Sequence, residues 1–141
     1  MGAYIAPFFT LLFKEIVMEI VPIYDVGGSL PVSLEAFRNR PCALPFGHPA
    51  YVPPSPQEVD CLVKLTGWSQ SVAATLVGVS FNPKKGSSTI RKWRARPDSD
   101  DARAIPYSAW RLMLLYARVV SIDDGLAAID RQSAGGNDTA H

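Results

Sequence analysis

From Ser55 onward, apolar positions recur three and four residues apart and predict a run of short helices. Val59, Leu62, Val63 and Thr66 form the first stripe. Its start is marked by Ser55-Pro56-Gln57-Glu58: a hydroxyl N-cap, proline at the first helical position and Glu at the third. Gly67 stands where a left-handed C-terminal residue is wanted. A second helix is capped by Ser69, runs through Val77 and closes at Gly78. The third is expected from Ser87 to Ala95, with Pro83 and Gly86 breaking the chain before it and Pro97 after it. At 100° per residue, Ile90 and Trp93 point one way while Ser88, Arg91 and Lys92 point the other. The fourth helix opens at Ile105-Pro106 and is apolar almost all round through Ala117, which suits a central helix or a dimer interface. A fifth starts at Ser121 and runs through Ile129, with Asp123 and Asp124 at its positive end. Trp68, Trp93 and Trp110 fall at helix-packing positions and read as core anchors.

The flanks differ. Ala3 to Phe13 is apolar but shorter than the ~20 residues that span a bilayer, and no cation precedes Lys14 as a signal peptide would require. Met18 is an alternative start to Met1. The β-branched content of Ile16 to Tyr24 favours a short strand ended by Gly27-Gly28, and Ser33 to Arg38 suits a single helical turn. Residues 41–56 hold six of the twelve prolines and read as an extended arm, a spacer packed along the domain. Gln132 to His141 reads as a frayed polar tail. The expected organisation is an N-terminal arm over 1–54, a helical domain over 55–131 and a disordered tail over 132–141. The fold class is mainly α, four to five helices with an extended or β arm.

A length of 141 residues holds one compact domain with arms and excludes a multi-domain enzyme. Cys42 and Cys61 are too few for a disulfide scaffold, which points to a reducing cytoplasm. The total charge of +1 conceals opposed parts. Ser55 to Arg118 carries ten basic and five acidic residues, net +5; the remainder carries four and eight, net −4. Lys84, Lys85, Arg91, Lys92, Arg94 and Arg96 cluster with no acid among them, a footprint suited to releasing counterions from nucleic acid.

The stretch Gln70 to Ser80, followed by Ser88-Thr89-Ile90-Arg91-Lys92-Trp93, resembles the helix-turn-helix of the phage-repressor-like superfamily of transcription regulators, the Cro and xenobiotic-response-element type. In that motif a small residue lets two helices approach, here Ala74; a glycine makes the turn, here Gly78; and apolar residues close the core, here Val79, Ile90 and Trp93. The last two match once Phe81 to Gly86 is treated as an insertion in the turn. The resemblance covers Ser55 to about Val120, and the Ile105 to Trp110 start of the fourth helix is similar to that of small mobile-element regulators.

The resemblance implies a recognition helix whose DNA-contacting residues are Ser87, Ser88, Thr89, Arg91 and Lys92, with Arg91 first for base readout. It implies that Gln70 touches phosphate at the second helix's N-terminus and that Lys84, Lys85, Arg94 and Arg96 hold the backbone on either side. The partner is double-stranded DNA, bound by a homodimer, in a cytoplasmic protein that makes no membrane contact.

No enzyme, metal or cofactor is expected: His48 and His141 lie in the arm and tail, Cys42, His48 and Cys61 lack zinc-ligand spacing, and Pro83 to Ser88 is not a phosphate loop. The alternative is a protein-interaction or antitoxin-like accessory module using the same helical core, with the arm docking on a partner protein.

Overall fold

The computed structural model describes residues 29–136. The strand expected over Ile16 to Tyr24, the apolar run before it and residues 137–141 lie outside the described residues.

The described residues are mainly helical: α1 (Leu34–Phe37), α2 (Pro56–Thr66), α3 (Gln70–Val77), α4 (Ser88–Trp93), α5 (Tyr107–Tyr116) and α6 (Ile122–Gly136), with a 3₁₀ turn at Pro41–Ala43. Serine hydroxyls set four of the starts. Ser33, Ser55, Ser69 and Ser87 accept from the backbone amides of Ala36, Glu58, Val72 and Ile90. At α2 the box is reciprocal, because the Ser55 amide also donates to Glu58 Oε1 at 2.8 Å. α6 has the same device, with Ser121 and Asp124 exchanging bonds of 3.0 Å. The Ser121 amide, then its hydroxyl, hold the Asp124 carboxyl below its ordinary value.

Two ends differ from expectation. α4 stops at Trp93 rather than Ala95, because Arg94 turns out of the helix ahead of Pro97, whose ring disfavours helical backbone before it. α6 continues to Gly136, so the polar tail expected from Gln132 is helical over its first residues; Asp130 to Ala134 contains no proline or β-branched residue to stop it.

α5 is central. Its Ala109, Trp110, Met113 and Leu114 are buried among Val59 and Leu62 of α2, Ala73 and Ala74 of α3, and Ile90 and Trp93 of α4. Helix α3 touches both α4 and α5, and α2 touches α4. Trp68 is half-buried against this core.

The core reaches back beyond Ser55. Phe37, Cys42 and Ala43 are buried in it, and the Phe37 and Trp110 rings lie 6.2 Å apart at 59°. Trp110 Nε1 donates to the Cys42 carbonyl at 2.8 Å, and Arg111 donates to the Ala43 carbonyl at 3.0 Å. Farther along, Phe46, Tyr51 and Tyr107 form an aromatic trio with centroids 4.9 to 6.0 Å apart. The proline-rich segment therefore packs along α5, and its first residues are part of the core. Prolines deny it a hydrogen-bond ladder, and the side chains of α5 bond its carbonyls instead.

Candidate nucleic-acid interface

α3 ends when Gly78 enters the left-handed region (φ 80°), its amide bonding the Ala74 carbonyl at 2.8 Å. The chain then makes a closed loop before α4. Asn82 and Gly86 exchange backbone bonds of 2.7 and 2.8 Å, and Asn82 Oδ1 accepts from the amides of Lys84 and Lys85. On either side of this loop, Ser87 Oγ donates to the Ser80 carbonyl at 2.9 Å. The segment Phe81 to Gly86 thus closes on itself, and the residues on either side of it, Ser80 and Ser87, are brought together.

Gln70 secures the junction. Its Oε1 accepts from the Ser87 amide at 2.8 Å and from Arg91 Nη1 at 3.1 Å, while Arg91 Nη1 also donates to the Lys85 carbonyl at 2.7 Å. The first residue of α3, the tip of the loop and the middle of α4 become one hydrogen-bonded unit. Gly86 makes this possible, since its φ is 85° and a Cβ there would stand 2.0 Å from Gln70 Oε1. Gly86→Ala is expected to cost about 1–3 kcal/mol, from left-handed strain and the displaced Gln70 bonds. A urea midpoint shift for Gly86→Ala no larger than that for Gln70→Ala would contradict this geometry.

The structure sorts the expected contact residues into two groups. Ser88 and Arg91 are exposed on α4, with Thr89 and Lys92 half-buried beside them, and Lys84 and Lys85 are exposed on the loop. Of the described carboxylates, none forms an ion pair with Lys84, Lys85, Arg91 or Lys92. Arg103, absent from the expected set, is tied to α4 by its backbone, its amide donating to the Lys92 carbonyl at 3.1 Å, while its exposed side chain bonds the Asp100 and Ala102 carbonyls through Nη1.

Three of the other residues have structural employment, and Arg96 stays exposed. Ser87 is fully buried, with its hydroxyl shared between the Ile90 amide and the Ser80 carbonyl, so it is an internal cap and not a DNA contact. Gln70 acts as the clip described above, its Oε1 spent within the protein. Arg94 turns inward, its side chain 19% exposed, and its Nε and Nη2 both lie 2.7 Å from Asp60 Oδ1 on α2. That removes Arg94 from the cations on offer to a phosphate. Arg96 is exposed and 3.5 Å from Asp98. The Gln70–Ser87 and Arg94–Asp60 pairs are 17 and 34 residues apart, beyond any local spacing rule.

Asp60 also pairs with Lys64 at 2.8 Å. Burial pushes its carboxyl up, but the hydrogen bonds and charges of Lys64 and Arg94 outweigh that and hold it below its ordinary 3.8. A carboxyl lowered by folding stabilises the fold above its unfolded pKa and loses that contribution as pH falls through the folded value, here below about 4. Asp60→Asn should therefore show a shallower decline of stability between pH 5 and pH 2 than the parent, by urea titration. Parallel declines would contradict it.

Compared with protein-family models, curated proteins and solved structures, the chain matches none. Among the described residues no helix is long and apolar enough to cross a membrane.

Proposed function

We propose that α3, the closed loop and α4 form a helix-turn-helix that binds double-stranded DNA and regulates transcription. In this reading α4 lies in the major groove. One observation carries it. Ile90 and Trp93 root α4 in the core, and its opposite face presents Ser88, Arg91 and Lys92 beside Lys84 and Lys85, unpaired with any described carboxylate. A helix fixed on one side and cationic on the other supplies both halves of recognition: rigid placement and counterion release.

Arg91 reads base edges through guanidinium nitrogens other than Nη1, with Nη1 held by Gln70 and Lys85 so that the side chain is aimed before binding. Ser88 and Thr89 flank it. Lys84, Lys85, Lys92, Arg96 and Arg103 provide phosphate contacts. The protein then works in the cytoplasm as a homodimer on DNA, the two α4 helices about 34 Å apart, one turn of the duplex.

Fluorescence anisotropy with duplexes flanking the protein's own gene, against random duplex, is the direct test. Arg91→Ala should lose about 1–3 kcal/mol on the specific duplex and relax sequence preference, whereas Lys85→Ala should weaken all duplexes alike and lower the salt slope by about one. Equal losses on specific and random DNA for Arg91→Ala would refute base readout. Absence of salt-dependent binding to any duplex would refute the reading as a whole.

A further inference from the structure

Among the described residues none of α6 belongs to the buried core, and its large apolar residues face outward: Ile122, 70% exposed, lines the groove between α6 and α5, while Leu126 (55%) and Ile129 (57%) line a neighbouring cleft. Their spacing of four and three places them on one side of the helix. Between α6 and α5 runs an open groove of about 960 Å³, with Leu115 and Ile122 on its walls and Arg38, Arg111, Arg118 and Arg131 around it. The carboxylate that lines it, Asp124, is spent on capping Ser121. The groove is therefore apolar inside and cationic at its edges, with Arg38 also paired to Glu35 at 3.1 Å.

We propose that residues 15–25 of this same chain seat in that groove. The chemistry matches on both counts. The 28 residues before Ser29 include eighteen apolar ones, and their charges are Lys14 against Glu15, Glu19 and Asp25, net −2. Glu15 and Glu19 stand four apart with Ile16, Val17 and Met18 between them, so acidic and apolar residues interleave to match the two chemistries of the groove. Reach is sufficient. The Ser29 carbonyl accepts from Arg40 at 3.2 Å, two residues from the groove residue Arg38. Ten residues of extended chain span up to about 33–36 Å, more than the ~22 Å length of α6. A second copy laid symmetrically on this face would instead bring arginine edge against arginine edge, a like-charge contact.

The proposal does not depend on DNA binding and is tested without it. In the full chain carrying Cys61→Ser, Ile20→Cys and Ala127→Cys, the latter on the groove wall, are joined with a short bismaleimide and the products mapped by mass spectrometry. The expected result is a 20–127 link within one chain. Its yield should fall at least about threefold when Glu15→Lys and Glu19→Lys are added, and recover in part with Arg131→Glu. Hydrogen exchange over residues 122–131 is measured in parallel on the chain without added cysteines, where the same two lysine substitutions should speed it. Links only between two chains, or a yield and exchange rate indifferent to the charge reversals, would overturn the proposal.

Discussion

Glu58→Ala is expected to destabilise the fold by about 3–5 kcal/mol, the range found when one member of a buried ion pair is removed. The carboxylate holds three things together. Oε1 accepts from the Ser55 amide and so completes the cap of α2. Oε2 lies 2.6 Å from Arg40 Nε and 3.4 Å from Cys42 Sγ, both buried. Burial first, and the Glu58 carboxylate beside it, push the Cys42 thiol up, so it stays protonated and donates. Removing the carboxylate takes its closest acceptor from the buried Arg40 guanidinium and loosens the 40–42 segment from α2. Ser55→Ala isolates the cap, which alone is worth about 1 kcal/mol. Urea denaturation of the two variants decides: a Glu58→Ala loss no larger than that of Ser55→Ala would show that the pair with Arg40 contributes nothing net.

Trp110→Ala should cost a similar 3–5 kcal/mol, for a different reason. The indole is fully buried at the centre of α5, against Phe37, and its Nε1 holds the Cys42 carbonyl. Alanine leaves a cavity and strands that carbonyl. Trp110→Phe keeps most of the ring volume and loses the N–H with part of the bicycle, so its cost should be nearer about 1–3 kcal/mol. A phenylalanine variant as unstable as the alanine one would mean that the carbonyl bond, and not the filled volume, dominates. Both predictions concern the same joint, where the segment before Ser55 is fastened to the helices after it.

The helices were legible because their signals are local. Serine caps, the Pro56 start, the glycines at 67 and 78 and the three-and-four spacing of apolar residues each act within one turn of chain, and the structure shows helices at those places. The two faces of α4 were legible for the same reason, Ile90 and Trp93 inward and Ser88 and Arg91 outward. Ends were less so: Arg94 leaves α4 early, and α6 passes through a stretch that composition alone marks as a tail.

What a single sequence left out is the set of partners distant along the chain. Asp60 and Arg94, Gln70 and Ser87, Glu58 and Arg40, and Trp110 with the Cys42 carbonyl each join separate elements, and no periodicity encodes them. These pairings changed the candidate site most. Among six clustered cations that look alike in sequence, burial beside Asp60 withdrew Arg94, and the fold brought in Arg103 from beyond Pro97.

By itself, then, the sequence determined a mainly helical chain with its caps, its breaks and one cationic stretch, because those follow from interactions within a turn or two. Tertiary structure alone decided that the proline-rich arm joins the core, that residues 81–86 close into a loop between Ser80 and Ser87, and which cations stay exposed. The reason is physical: whether a charge or a hydroxyl is available depends on what surrounds it in space, and for Ser87 and Arg94 that surrounding comes from residues 7 and 34 positions away.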